Sequence, residues 1–112
     1  MTAARYDLVI DQGSDFAIEF TVAEAGTAKN LTGYSARAQL RTTKSSSSIA
    51  ATFTCNIPTP TNGKINMTLP NGTSAAITAG RFYYDLEIYT SSDTLVNRLL
   101  YGEVTLTQEV TR

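Results

Sequence analysis

Residues 80–88, "GRFYYDLEI", alternate their side chains without a break. Phe82, Tyr84, Leu86 and Ile88 share one face, and Tyr83, Asp85, Glu87 and Tyr89 (the next residue) share the other. A period of two marks a strand with one buried face. Four large apolar side chains in one row are a core face. The second row mixes aromatic rings with carboxylates, and what it meets is the functional question.

Outward from this stretch the same period recurs. "DFAIEFTV" sets Phe16, Ile18, Phe20 and Val22 against Asp15, Ala17, Glu19 and Thr21. "YSARAQLR" sets Tyr34, Ala36, Ala38 and Leu40 against Arg37, Gln39 and Arg41. "ATFTCNI" offers Phe53, Cys55 and Ile57, and "KINMTL" offers Ile65, Met67 and Leu69. "LVNRLLY" and "GEVTLTQ" follow, the latter with Val104 and Leu106 on one face, and "YDLVI" is a further short apolar run. About eight short strands result, rich in the β-branched and aromatic residues that suit a pleated surface. Asp11-Gln12-Gly13-Ser14, Asn62-Gly63 and Ser91-Ser92-Asp93 carry turn chemistry. "AEAGTAKNLTG" reads as a hairpin tip leading to the next strand. The serine-rich "TTKSSSSIAA" reads as a loop, predicted mobile at Ser45 to Ser48. "GTSAAITAG" is the one helical candidate, with Thr73 or Ser74 as cap and Gly80 as stop. Many short strands with almost no helix predict one all-β domain over residues 1–112, a sandwich of 7–8 strands in preference to a barrel.

The bulk numbers narrow the function classes. Nine Lys+Arg against ten Asp+Glu leave a net charge of −1, without the basic stripe of a nucleic-acid binder. No apolar run approaches the roughly 20 residues that span a bilayer. "MTAARYDLVI" lacks the apolar core of a signal peptide, so synthesis and use in a cytoplasm are expected. The lone Cys55 has no cysteine to pair with, and no histidine exists to activate it. The same lack of histidine removes Ser-His-Asp triads and Cys/His zinc sites. Asp85 and Glu87, with Glu19 from elsewhere, could supply a glycosidase's carboxylates, but a solvated acidic face explains them as well. Asp7, Asp11 and Asp15 lack the alternate spacing of a calcium loop and read as turn and edge carboxylates. Asn30, Asn66 and Asn71 head Asn-x-Thr sequons, which without a secretion signal carry no message. No catalytic residue, cofactor or metal ligand is therefore expected, and the chain reads as a non-enzyme.

Three stretches together resemble a known family. "IDQGSDFAIEFTV…AKNLTGYSARAQLR" is similar to the opening of small phage virion proteins, where a strand after "QG" is followed by "LTGY" and an alternating strand ending in arginine. "GRFYYDLEIYTSSDTLVNRLLYGEVTLTQEVTR" resembles their ending, with its "AGRYxYDLE", "RLLxG" and "VTxxxEVTR" pattern. "GKINMTLPNGTSAAITAG" fits the strand and helical turn between them. The match runs from Ile10 to Arg112, with the serine-rich loop as its variable part. One departure is the absence of tryptophan, which family members carry in the first hairpin. The family is similar to the N-terminal domain of phage baseplate upper proteins, an immunoglobulin-like sandwich that docks receptor-binding parts onto the tail.

The resemblance implies an adaptor in a tail, baseplate or fibre complex, multi-copy or symmetric in the virion, with other virion proteins as partners; charge and hydropathy lead to the expectation of neither nucleic acid nor membrane. A capsid decoration protein is the alternative within that class. A carbohydrate-binding module is the alternative outside it, with Tyr83, Tyr89 and Tyr101 as sugar platforms. On either protein-binding reading, Tyr83, Asp85, Glu87, Tyr89 and Tyr101 are the candidate partner contacts. The competing account is a set of cross-strand ion pairs with Arg37, Arg41 or Arg98.

Overall fold

A computed structural model describes residues 4–24, 26–45, 48–90 and 95–110. Ser46 and Ser47 of the serine-rich loop, the turn at Ser91-Ser92-Asp93 and the chain end at 111–112 lie outside the described residues. Ten strands follow one another: β1 Ala4–Arg5, β2 Leu8–Asp11, β3 Phe16–Thr21, β4 Ala23–Glu24, β5 Thr27–Ala28, β6 Ser35–Arg41, β7 Ala51–Asn56, β8 Lys64–Leu69, β9 Gly80–Tyr89 and β10 Val96–Thr107. Among the described residues helix is confined to a 3-10 turn at Pro60–Asn62 and one α-turn, α1, at Asn71–Ala75.

The fold is all-β. One path of hydrogen-bonded strands runs β1-β10-β9-β6-β7-β8-β3, with β2 also on β10, and β4–β5 form a separate hairpin where the sequence placed a tip. The sheet turns over along β7. Its first half pairs with β6 (Phe53 opposite Ala38, Ala51 opposite Leu40), and its second half pairs with β8 (Thr54 opposite Thr68, Asn56 opposite Asn66). One strand thereby serves two layers, and the sheet curls into a half-barrel with a sandwich-like interior. Every pairing is antiparallel except those of β1 and β2, which run parallel to β10.

Alternation fills the interior. Leu40, Ile65, Met67, Leu69, Phe82, Tyr84, Leu86, Ile88, Val104 and Leu106 are all buried. Phe16, Ile18 and Phe20 point the same way but stay half-buried, packed against that cluster. Among the described residues β3 has a strand partner, β8, on one side only, which leaves its row less covered. Leu8 and Ile10 from "YDLVI" and Leu31 from the loop before β6 complete the core. Phe53 links the layers, with ring centroids 6.2 Å from Phe16 and 6.4 Å from Tyr84.

The helical turn works differently from the sequence expectation. Pro70, not Thr73 or Ser74, is the N-cap, and its own side chain makes no capping bond. Ser74 is instead buried, and its hydroxyl accepts from Gly13 N (3.0 Å) and donates to Ser14 O (3.0 Å). Asp15 accepts from Asn71 N at 2.7 Å, and Gln12 Nε2 donates to Ile77 O at 2.7 Å. The "DQGSD" turn is thus stitched to a helical turn some sixty residues away in sequence, which satisfies polar groups that burial would otherwise leave unpaired.

Gly102 on β10 answers a close approach. A Cβ there would meet the carbonyl of Tyr6 and lie 2.8 Å from Asp7 Oδ1. The bare backbone lets the crossing between β1 and β2 settle on β10, where Tyr84 Oη donates to Tyr6 O and Glu103 N donates to Asp7 Oδ1 at 2.9 Å. Burial holds the Tyr84 phenol well above the usual tyrosine range, so it stays a donor.

Candidate protein-contact site

The outward row of β9 lies in the middle of a three-strand surface whose register fixes its neighbours. On the β6 side Arg37 stands opposite Glu87, Gln39 opposite Asp85, and Arg41 opposite Tyr83. On the β10 side Arg98 stands opposite Glu87, Tyr101 opposite Asp85, and Glu103 opposite Tyr83. All five candidate contact residues therefore share one face.

Tyr101 reaches that face through an irregularity. Strict alternation would put Arg98 and Tyr101, three positions apart, on opposite sides. The register shifts between Arg98 and Leu100, so Leu99 is an extra residue in β10. The bulge reverses the parity of the strand. Leu99 and Leu100 both pack inward, Leu99 buried and Leu100 half-buried, while Arg98 and Tyr101 both face out.

Each tyrosine on this surface carries a cation over its ring. The Arg37 guanidinium lies 4.3 Å from the Tyr89 centroid, that of Arg98 lies 5.1 Å from Tyr101, and Lys44 Nζ lies 5.6 Å from Tyr83. Arg37 also donates to Glu87 Oε1 as an ion pair, and Arg41 Nη2 donates to Gln39 Oε1 at 2.8 Å. Of the cross-strand pairings considered from sequence, Arg37–Glu87 forms. The tyrosines are half-buried rather than fully exposed, with long side chains from β6, β10 and the loop after β6 leaning over them. Such rings and cations are large, preorganised anchors.

Asp85 sits at the centre. Partial burial raises its carboxyl above the ordinary value and Glu87 adds to the rise, while Arg98, Arg41 and Arg37 oppose it. A groove of about 480 Å³ opens over this part of the face, lined by Gln39, Arg41, Lys44, Tyr83, Asp85, Arg98 and Tyr101 among others.

Other candidates fall elsewhere. Glu19 is on β3 in the far layer, facing Lys64 at 3.8 Å, and does not join Asp85 and Glu87. Asp7 meets Arg5 and Glu103 N, Asp11 accepts from Thr107 Oγ1 at 2.9 Å, and Asp15 binds Asn71, so no partner is shared among the three carboxylates. Among the described residues no three His, Cys, Asp or Glu side chains gather as a metal site. Cys55 is half-buried, and burial pushes its thiol up to about 11. No described helix is long and apolar enough to cross a membrane.

In comparisons with known proteins, no family model matches the chain and no curated protein matches it in sequence.

Proposed function

We propose that the chain is a non-enzymatic structural protein of a bacteriophage particle, an adaptor of the tail, baseplate or fibre complex that holds neighbouring subunits through the face of β6, β9 and β10. The observation that carries a contact role is the tyrosine–cation surface, in which three rings on β9 and β10 each hold a cation, Arg37 from β6, Arg98 from β10 and Lys44 from the loop after β6. Rigid aromatic and arginine anchors lose little side-chain freedom on docking and are enriched where proteins meet. The assignment to a phage particle rests on the sequence resemblance. Its segments fall where the fold has special geometry, which supports reading them together. "QG" is the turn stitched to Ser74, "LTGY" holds buried Leu31 and Gly33 at φ 87°, and "RLLYG" holds the bulge and the close approach at Gly102.

A sugar-binding reading would use the same tyrosines as stacking platforms. Each ring already holds a cation over it, which a sugar stacking there would have to displace. The test is mass spectrometry of phage particles separated into heads and tails. Presence in tails supports the adaptor, presence on heads alone moves the protein to capsid decoration, and absence from both removes the structural reading.

A further inference from the structure

The groove over the contact face has a charge bias that the whole chain lacks. Three cations, Arg41, Lys44 and Arg98, line it against one carboxylate, Asp85, whereas the full sequence has nine Lys+Arg and ten Asp+Glu. Arg98 and Lys44 are exposed at its rim, while Asp85 is half-buried in its floor between β6 and β10. An approaching anion therefore meets the cations before it meets the carboxylate.

We propose that this groove receives an acidic, extended segment of a partner protein, whose carboxylates are taken up by Arg98, Lys44 and Arg41 beside the rings of Tyr83 and Tyr101. The inference rests on the adaptor reading for where the partner is found, and adds what its docking segment is made of. Charge complementarity is the first argument: a guanidinium fork matches a planar carboxylate, and such charge-assisted bonds are among the stronger polar contacts. The second argument separates a peptide from a nucleic acid. Single strands bind by stacking bases on aromatic rings, but Arg98 lies over Tyr101 and Lys44 over Tyr83, so a base stacking there would displace the cations that attract its phosphates. A side-chain carboxylate meets those cations where they already stand. Gln39 and Asp85 in the lining can also accept hydrogen bonds from peptide N–H groups, which a phosphodiester backbone lacks.

The test is fluorescence anisotropy of the folded protein with a fluorescein-labelled deca-glutamate peptide, read at low salt and at about 0.15 M. Saturable binding that weakens with salt is expected. Lys44→Glu and Arg98→Gln alter exposed side chains and should each weaken binding by about tenfold or more, as loss of one charge-assisted contact does. Lys64→Glu makes the same charge change as Lys44→Glu in the far layer and should leave binding at about 0.15 M within about twofold, since charges beyond a Debye length are screened at that salt. No saturable binding by the wild type, or equal losses for Lys44→Glu and Lys64→Glu, would overturn the proposal. Tighter binding of an oligothymidine of the same length would assign the groove to nucleic acid instead and also overturn it. Either failure leaves the particle assignment standing, because mass spectrometry of purified particles tests that separately.

Discussion

Gly102→Ala probes the contact that pins the N-terminal strands to β10. A methyl at this position would lie 2.8 Å from Asp7 Oδ1 and 2.9 Å from the Tyr6 carbonyl carbon, closer than a real Cβ tolerates, with the Tyr6 oxygen nearer still. Two of these three atoms are backbone, so the crossing between β1 and β2 must lift. Overpacking of this kind costs about 1–3 kcal/mol. Lifting Tyr6 also takes the acceptor from the hydroxyl of Tyr84, a residue only 4 % exposed, and an orphaned buried donor adds about 1–3 kcal/mol. The expected loss is about 2–6 kcal/mol, read by urea unfolding followed by far-UV circular dichroism. Gly72→Ala is the control, because it lies in α1 with nothing within 4 Å of the added Cβ. It should be neutral or gain up to about 1 kcal/mol. Tyr84→Phe alone should cost about 1 kcal/mol, but should be neutral or stabilising in the Gly102→Ala background, where the bond is already broken and the hydroxyl is an orphaned donor. Full additivity of the two, or a Gly102→Ala protein as stable as wild type, would refute the claim that Gly102 admits Tyr6 to its bond with Tyr84.

Leu86→Ala should cost about 2–5 kcal/mol in the same unfolding assay, since Leu86 is fully buried, and a loss of a few tenths would mean β9 faces the other way. Asp85→Asn should raise the melting temperature near neutral pH. The native carboxyl is raised, so the unfolded chain ionises first and Asp85 costs stability above about pH 4; the gain should vanish in acid, where both states are neutral, and a lowered melting temperature at pH 7 would contradict it. Replacing Ser45 to Ser48 by a short Gly-Ser link should leave the melting temperature within about 2 °C, because four serines contribute no apolar area, and a larger fall would assign the loop a structural role.

The sequence was most legible where a strand has one buried and one open face. β9 is such a strand, so the inward row and the outward row could both be read residue by residue, and the arginines of β6 followed as its partners. β10 was harder because a bulge changes the parity halfway along. "RLLYG" contains adjacent leucines that both turn inward, and nothing in a period-two reading says which residue is the extra one. Lys44 is not legible as a site residue, because it belongs to the loop after β6 and joins the site only by leaning over Tyr83. Ser74 reads as a cap in sequence because its actual partners, Gly13 and Ser14, are distant along the chain. A hydroxyl near a helical turn looks the same on paper whether it caps that turn or clamps another one. Leu31 sits between turn residues, and its burial follows from packing under the 3-10 turn, where its N–H meets Pro60 O at 2.7 Å.

The contact role is tested most directly by how much of a face variant enters phage particles. Substituting Tyr83 and Tyr89 together with alanine removes two half-buried rings and the seats of Lys44 and Arg37 without touching the core row of β9. The isolated double variant should therefore keep its β circular dichroism spectrum. Quantitative mass spectrometry of purified particles, with wild type and variant supplied at equal levels, should find the variant depleted about tenfold or more, the loss expected of central interface anchors. Incorporation equal to wild type by a folded double variant would contradict the claim that this face holds the protein in the particle.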